Sequence, residues 1–141
     1  MPALDCSDLF GKRLSLSESP GKVVVLTFWA TWCGPCVRKF PEERELVSQM
    51  KGRPFELIGV NSDHSLGAAQ REVREGRVTW RSFWDGPGRG PIARKLGVDS
   101  WPTTFVVDTK GVIRVVNPKD LPSICETMVE EIKRGEGYGA K

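Results

Sequence analysis

Between residues 23 and 29 the chain reads Val-Val-Val-Leu-Thr-Phe-Trp, apolar at nearly every position and rich in β-branched side chains. The run has neither the alternation of a half-exposed strand nor the spacing of an amphipathic helix. It predicts a strand in the interior of a sheet covered on two faces. The period then changes. Val37, Phe40, Pro41, Leu46, Val47 and Met50 recur among Arg38, Lys39, Glu42, Glu43, Arg44 and Glu45, the pattern of an amphipathic helix beginning near Gly34. Pro41 removes a hydrogen bond inside that helix and bends it.

Downstream, strand-like and helix-like segments alternate. Residues 55–61 predict a short strand, 65–74 a peripheral helix and 79–84 an edge strand. Residues 85–91 are loop by composition, and their glycines lack the strand-to-helix placement of a phosphate-binding turn. Residues 91–97 have a proline at the start and a glycine at the end of a short helix. Strands at 103–108 and 112–116 flank Thr109-Lys110-Gly111, a bulged hairpin turn, and Leu121, Ile124, Cys125, Met128, Val129 and Ile132 form the apolar stripe of a closing helix. Strands followed by single helices, ending in a hairpin, predict an α/β fold with a central sheet flanked by helices.

The length of 141 residues suits one domain spanning 1–141 and is short for two. With 39% hydrophobic and 28% charged residues the composition is globular, and a net charge of +3 says little about partners. No Lys/Arg run with interleaved aromatics supports nucleic-acid binding. No stretch has transmembrane length, and Met1-Pro2-Ala3-Leu4-Asp5-Cys6 lacks the charged and apolar regions of a signal peptide. The abrupt start fits a cytoplasmic chain or a domain excised from a longer precursor.

The chemistry enters where the predicted strand meets the predicted helix, at Trp32-Cys33-Gly34-Pro35-Cys36. Unpaired backbone N–H groups and the helix dipole favour a thiolate there, and Pro35 costs little because its missing N–H has no helical acceptor. This geometry makes Cys33 the outward-facing nucleophile and Cys36 the resolving thiol. Zinc would need four ligands, and Cys6, Cys125 and His64 offer no second close pair, so no metal is expected. An inert structural disulfide is a poor fit to a Gly-Pro loop at a helix start. Cys125 falls on an apolar stripe and reads as a buried hydrophobe, Cys6 as an exposed thiol, and His64 as an exposed loop residue.

From Gly21 through Cys36, and again at Trp101-Pro102-Thr103, the chain resembles the thioredoxin-fold superfamily and, within it, thiol-disulfide oxidoreductases of the TlpA and ResA type. The resemblance covers nearly the whole length. It implies a mixed central sheet, an N-terminal hairpin at residues 8–12 leading into 14–17, and an inserted helix and strand between Asn61 and Pro102. It also implies that Pro102 is cis beside the cysteines, leaving the Trp101 backbone free to pair with an extended peptide. The bland alternative is a proline at the start of a strand. Trp32 and Trp101 are then rim residues, Trp29 shields the thiols or fills the core, and Trp80 and Trp84 pack at an edge.

One position departs from the thioredoxin pattern. Thr27 stands where the family carries a buried aspartate that manages the proton of the resolving thiol, which leaves that task to water, the departing thiolate, or a carboxylate such as Glu56 or Asp108. Arg38 and Lys39 follow the pair and can lower a thiol pKa by charge. The implied activity is reduction of disulfides in cysteine-containing substrate proteins, with no cofactor. An upstream dithiol donor supplies electrons to a monomeric protein that works extracytoplasmically in its anchored or exported full-length form. The Gly34-Pro35 pair points to the reducing end of the scale, near the roughly −270 mV of thioredoxin. Two alternatives are a redoxin-type peroxidase using Cys33 against a peroxide, and a non-catalytic recognition module of a larger chain.

Overall fold

The computed structural model describes residues 4–16 and 21–135. Its elements are β1 (Asp5–Ser7), β2 (Arg13–Ser15), β3 (Val23–Trp29), α1 (Gly34–Gln49), β4 (Phe55–Asn61), α2 (Leu66–Arg74), β5 (Ser82–Trp84), α3 (Pro91–Lys95), β6 (Thr103–Val107), β7 (Ile113–Val116) and α4 (Leu121–Lys133). Five strands form one mixed sheet in the order β5-β4-β3-β6-β7, and β1 and β2 form a separate antiparallel hairpin. β3 runs parallel to β4 and antiparallel to β6, so the central strand is paired on both edges.

All seven residues of β3 are buried, as a continuous apolar run requires. Its alternate positions feed two cores. Val23, Val25 and Trp29 pack with Phe40 and Leu46 of α1 and with Leu121, Cys125 and Met128 of α4. Val24, Leu26 and Phe28 pack on the other face with Ile92 and Ala93 of α3, with Phe105, and with Leu4 and Leu14 of the N-terminal segment. Thr27 shares the odd-numbered face, so it looks toward α1.

The expected edge strand at 79–84 shrinks to Ser82–Trp84, because the parallel ladder to β4 begins only where Gly59 meets Ser82. Trp80 lies outside it and packs edge-on against Phe40 at 5.9 Å. α1 continues through Pro41 as one helix. The segment leading into β3 is strand only at Arg13–Ser15, and Ser17, Met1-Pro2-Ala3 and residues 136–141 lie outside the described residues. Asp8 closes the hairpin loop by accepting from the N–H groups of Phe10 and Lys12 at 2.8 and 2.9 Å, and Arg81 pairs with it at 2.9 Å, fastening the hairpin beside β5.

Gly59 is required by a close approach. A Cβ there would collide with Ser82 Oγ and Trp29 Nε1, the two atoms joined by a 3.0 Å hydrogen bond beside it. Gly59→Ala is therefore expected to cost about 1–3 kcal/mol through overpacking, seen as a lower denaturant midpoint for the oxidised protein. An unchanged midpoint refutes the close-packing account.

Candidate functional site

β3 ends at Trp29, and within a few residues the chain enters α1 with Cys33 as its N-cap. Cys33 thus sits one position before the first helical turn. Its Sγ accepts from the Cys36 backbone N–H at 3.2 Å, occupying the place of a serine or aspartate oxygen in an ordinary cap. Cys33 and Cys36 are joined as a disulfide with a Cα–Cα separation of 5.3 Å. Pro35 falls in the first turn, where an N–H is not needed. Gly34 and Pro35 are exposed, forming the outer edge of the loop.

The expectation of an outward-facing Cys33 needs correction. In this disulfide state Cys33 is only 4% exposed, against 2% for Cys36. Both cysteines belong to the core cluster on the α1 and α4 face of the sheet. Trp101 packs on the core cluster that contains both cysteines, and Trp32 meets it edge to face with ring centroids 5.7 Å apart. The Trp101–Pro102 peptide is cis. Thr103, next along, pairs with Phe28, whose carbonyl oxygen lies 3.9 Å from Cys36 Sγ, so Pro102 and the sulfurs share one end of the sheet.

Asn61 and Asp63, buried at the end of β4, brace the approach to the cysteines. The Asp63 carboxylate accepts from the Thr31 backbone N–H at 3.0 Å, from the Thr31 hydroxyl at 2.5 Å and from the Asn61 amide at 2.8 Å. Two residues before Cys33, the chain is thereby fixed to the neighbouring strand. The following residue, His64, is exposed.

Thr27 is 2% exposed and donates to Glu43 Oε2 at 3.2 Å, with Thr104 Oγ1 at 3.4 Å across the β3–β6 ladder. Glu43, read from sequence as part of the solvated helix face, is 2% exposed. Burial pushes its carboxyl up from the ordinary 4.5 to about 7, although Lys39 and the Thr27 hydroxyl favour the anion. The signal was in the spacing. Cys36, Phe40, Glu43 and Leu46 are the buried residues of α1 and lie three or four apart, so Glu43 occupies a stripe position that its charge disguised.

The two carboxylates suggested by sequence lie elsewhere. Glu56 pairs with Val24 and Asp108 follows Val107, which also pairs with Val24, at the end of the sheet remote from Trp29 and Thr103. Asp108 serves the β6–β7 turn instead. It accepts from the N–H groups of Lys110 and Val112 and pairs with Arg114 at 2.6 Å; burial opposes ionisation, but these partners outweigh it and lower its pKa. Cys6 and Cys125 are both free thiols, the first exposed and the second buried, and burial pushes Cys125 up to about 12.

A family model described as Redoxin matches residues 1–132. The thiol-disulfide oxidoreductase ResA of Bacillus subtilis is 31% identical over 139 residues, covering 98% of this chain and 76% of that protein. ResA of Bacillus cereus (strain ATCC 10987 / NRS 248) is 32% identical over 112 residues, which are 79% of this chain but only 64% of the relative. Among solved structures, a DsbF homologue from Corynebacterium diphtheriae superposes with a TM-score of 0.73 at 28% identity, over 81% of this chain and 73% of that one. A secreted thiol-disulfide isomerase from Corynebacterium glutamicum shares the fold at a TM-score of 0.81, 22% identity and coverages of 94% and 85%.

A raised carboxyl pKa means that the folded state binds the Glu43 proton more tightly than the unfolded chain. Its ionisation therefore removes stability as pH rises from about 4.5 to about 7, with little change from this group outside that window. The loss is of order 3 kcal/mol at 1.36 kcal/mol per unit. Glu43→Gln should flatten this part of the stability-pH curve of the oxidised protein, measured by denaturant unfolding. A curve of unchanged slope overturns the assignment.

Proposed function

Because the chain belongs to the redoxin family and carries the redox-active Cys33–Cys36 pair of a TlpA/ResA-like thiol-disulfide oxidoreductase, we propose that it reduces disulfides in other proteins. The observation that supports this reading is the cap geometry. The Cys33 sulfur accepts a backbone N–H at the start of a helix of 16 residues, where a thiolate gains both a hydrogen bond and the helix dipole.

In the proposed cycle the reduced Cys33 thiolate attacks one sulfur of a substrate disulfide, forming a mixed disulfide and expelling a substrate thiolate. Cys36, as thiolate, then attacks Cys33 Sγ. The substrate leaves as a dithiol, and two electrons have moved from the pair to the substrate. The protein is left with the Cys33–Cys36 disulfide, and a dithiol donor must reduce it before the next turnover.

Trp32, Trp101, Gly34, Pro35 and cis-Pro102 form the surroundings against which a substrate segment is read, with the Trp101 backbone offering strand-like pairing. Thr27 does not replace a buried aspartate by itself. We place that acid at Glu43, brought to the same strand position from the helix and held by the Thr27 hydroxyl. Burial raises its carboxyl to about 7, so at neutral pH it can hold a proton that an ordinary carboxyl has already released.

Similarity to ResA supports a site of action outside the cytoplasm, with cysteine-containing proteins as clients and a membrane-side dithiol as donor. Among the described residues no helix is long and apolar enough to cross a membrane.

Cys36→Ser should stop the cycle at the mixed disulfide, so that a substrate protein is recovered bound to Cys33, whereas Cys33→Ser should trap nothing and reduce disulfides only at the background rate. The equilibrium potential of the wild-type pair should lie near the roughly −270 mV of thioredoxin rather than the roughly −120 mV of a strong oxidant such as DsbA. A potential at the oxidising end reverses the proposed direction, and rapid peroxide turnover by Cys33 replaces the reading with a peroxidase.

A further inference from the structure

Cys33 must meet a partner's sulfur, yet it is 4% exposed, with Trp32 beside it in the chain and in ring contact with Trp101, which leads into cis-Pro102 at the same end of the sheet. What holds those indoles is a single residue. Ser62 is fully buried just after β4, and three of its polar groups are engaged. Its N–H donates to the Trp29 carbonyl at 3.0 Å; its carbonyl accepts the Trp32 indole N–H at 3.2 Å; its hydroxyl oxygen accepts the Trp101 indole N–H at 3.0 Å. The two chain segments that flank the sulfurs, one leading into α1 and the other into cis-Pro102, are tied to the same point.

We propose that Ser62 is a positioning residue that sets access to Cys33, by clasping Trp32 and Trp101 edge to face over the pair so that a partner reaches the sulfur only when Trp101 lets go of the Ser62 hydroxyl. This rests on the reading of Cys33 as the attacking thiol and adds to it a control on entry. The two ties differ in kind. Trp32 is bonded to a main-chain carbonyl that no substitution at 62 removes, and it is 49% exposed. Trp101 depends on a side-chain hydroxyl, and it packs on the core cluster that includes both cysteines as well as on the core of the opposite sheet face. The serine oxygen is thus the removable half of the clasp. A neutral hydrogen bond has a modest net worth, so the clasp opens readily under the contacts a partner supplies while still disfavouring casual collisions.

The rate of Cys33 alkylation in the reduced protein reads access directly, followed by mass on the peptide that carries Cys33 across the thiol titration. The plateau at full ionisation reports access, and the midpoint reports acidity. Ser62→Ala should raise the plateau about fivefold, the scale of one neutral hydrogen bond, with the midpoint unmoved. In a Trp101→Phe background, where the donor is already gone, Ser62→Ala should add nothing. An unchanged plateau, a shifted midpoint with the same plateau, or an equal effect of Ser62→Ala in both backgrounds overturns the clasp. The wild-type oxidised protein gives a check that no folding defect can obscure. The Trp101 indole N–H should exchange with deuterium far more slowly than an exposed tryptophan, and exchange as fast as that standard also overturns the proposal. No partner protein enters either measurement, so a pair found to be oxidising would leave the clasp standing, and an absent clasp would leave the reductant reading intact.

Discussion

A strand buried on both faces and paired on both edges can offer chemistry only at its ends, and β3 imposes that constraint on the whole molecule. Its odd positions build the core shared with α1 and α4, and its even positions build the core shared with α3 and the N-terminal segment. At its C-terminal end the chain turns directly into α1, so the place where the sheet stops and a helix begins holds the sulfurs. The antiparallel ladder to β6 brings Thr103, and with it cis-Pro102 and Trp101, to that same end.

Much of this was legible from residue patterns because the features are local. The β-branched run, the helical stripe, the Gly-Pro turn between two cysteines and the proline-started helices each report a backbone preference confined to a few residues. Element bounds differed mostly by a residue or two, as at α2, where Ser65 is the cap rather than the first helical residue. The largest local difference was the edge strand, where Thr79-Trp80-Arg81 alternate weakly but the paired register begins only at Ser82.

What was not legible depends on contacts between distant parts of the chain. Glu43 reads as surface because of its charge, although its spacing puts it on the buried stripe of α1, and its hydrogen bond from Thr27 spans distant parts of the chain. Ser62 and Asp63 carry no sequence signal beyond loop composition, yet between them they fix Thr31, Trp32 and Trp101. The exposure of Cys33 was inferred from helix geometry alone, which puts the residue at the start of the helix, where the structure makes it the N-cap. It leaves out the core cluster into which both cysteines pack and on which Trp101, from another segment, also rests.

The location of the buried acid on α1 has a mechanical consequence. In a protein with an aspartate on the strand, tilting the helix against the sheet changes the distance between acid and sulfur. Here Glu43 and Cys36 belong to one helix, seven residues apart, or about 10 Å at 1.5 Å per residue, with Pro41 between them. A rocking of α1 carries both together and alters instead the grip of Thr27 on the carboxylate. The strand thereby senses how the helix is seated.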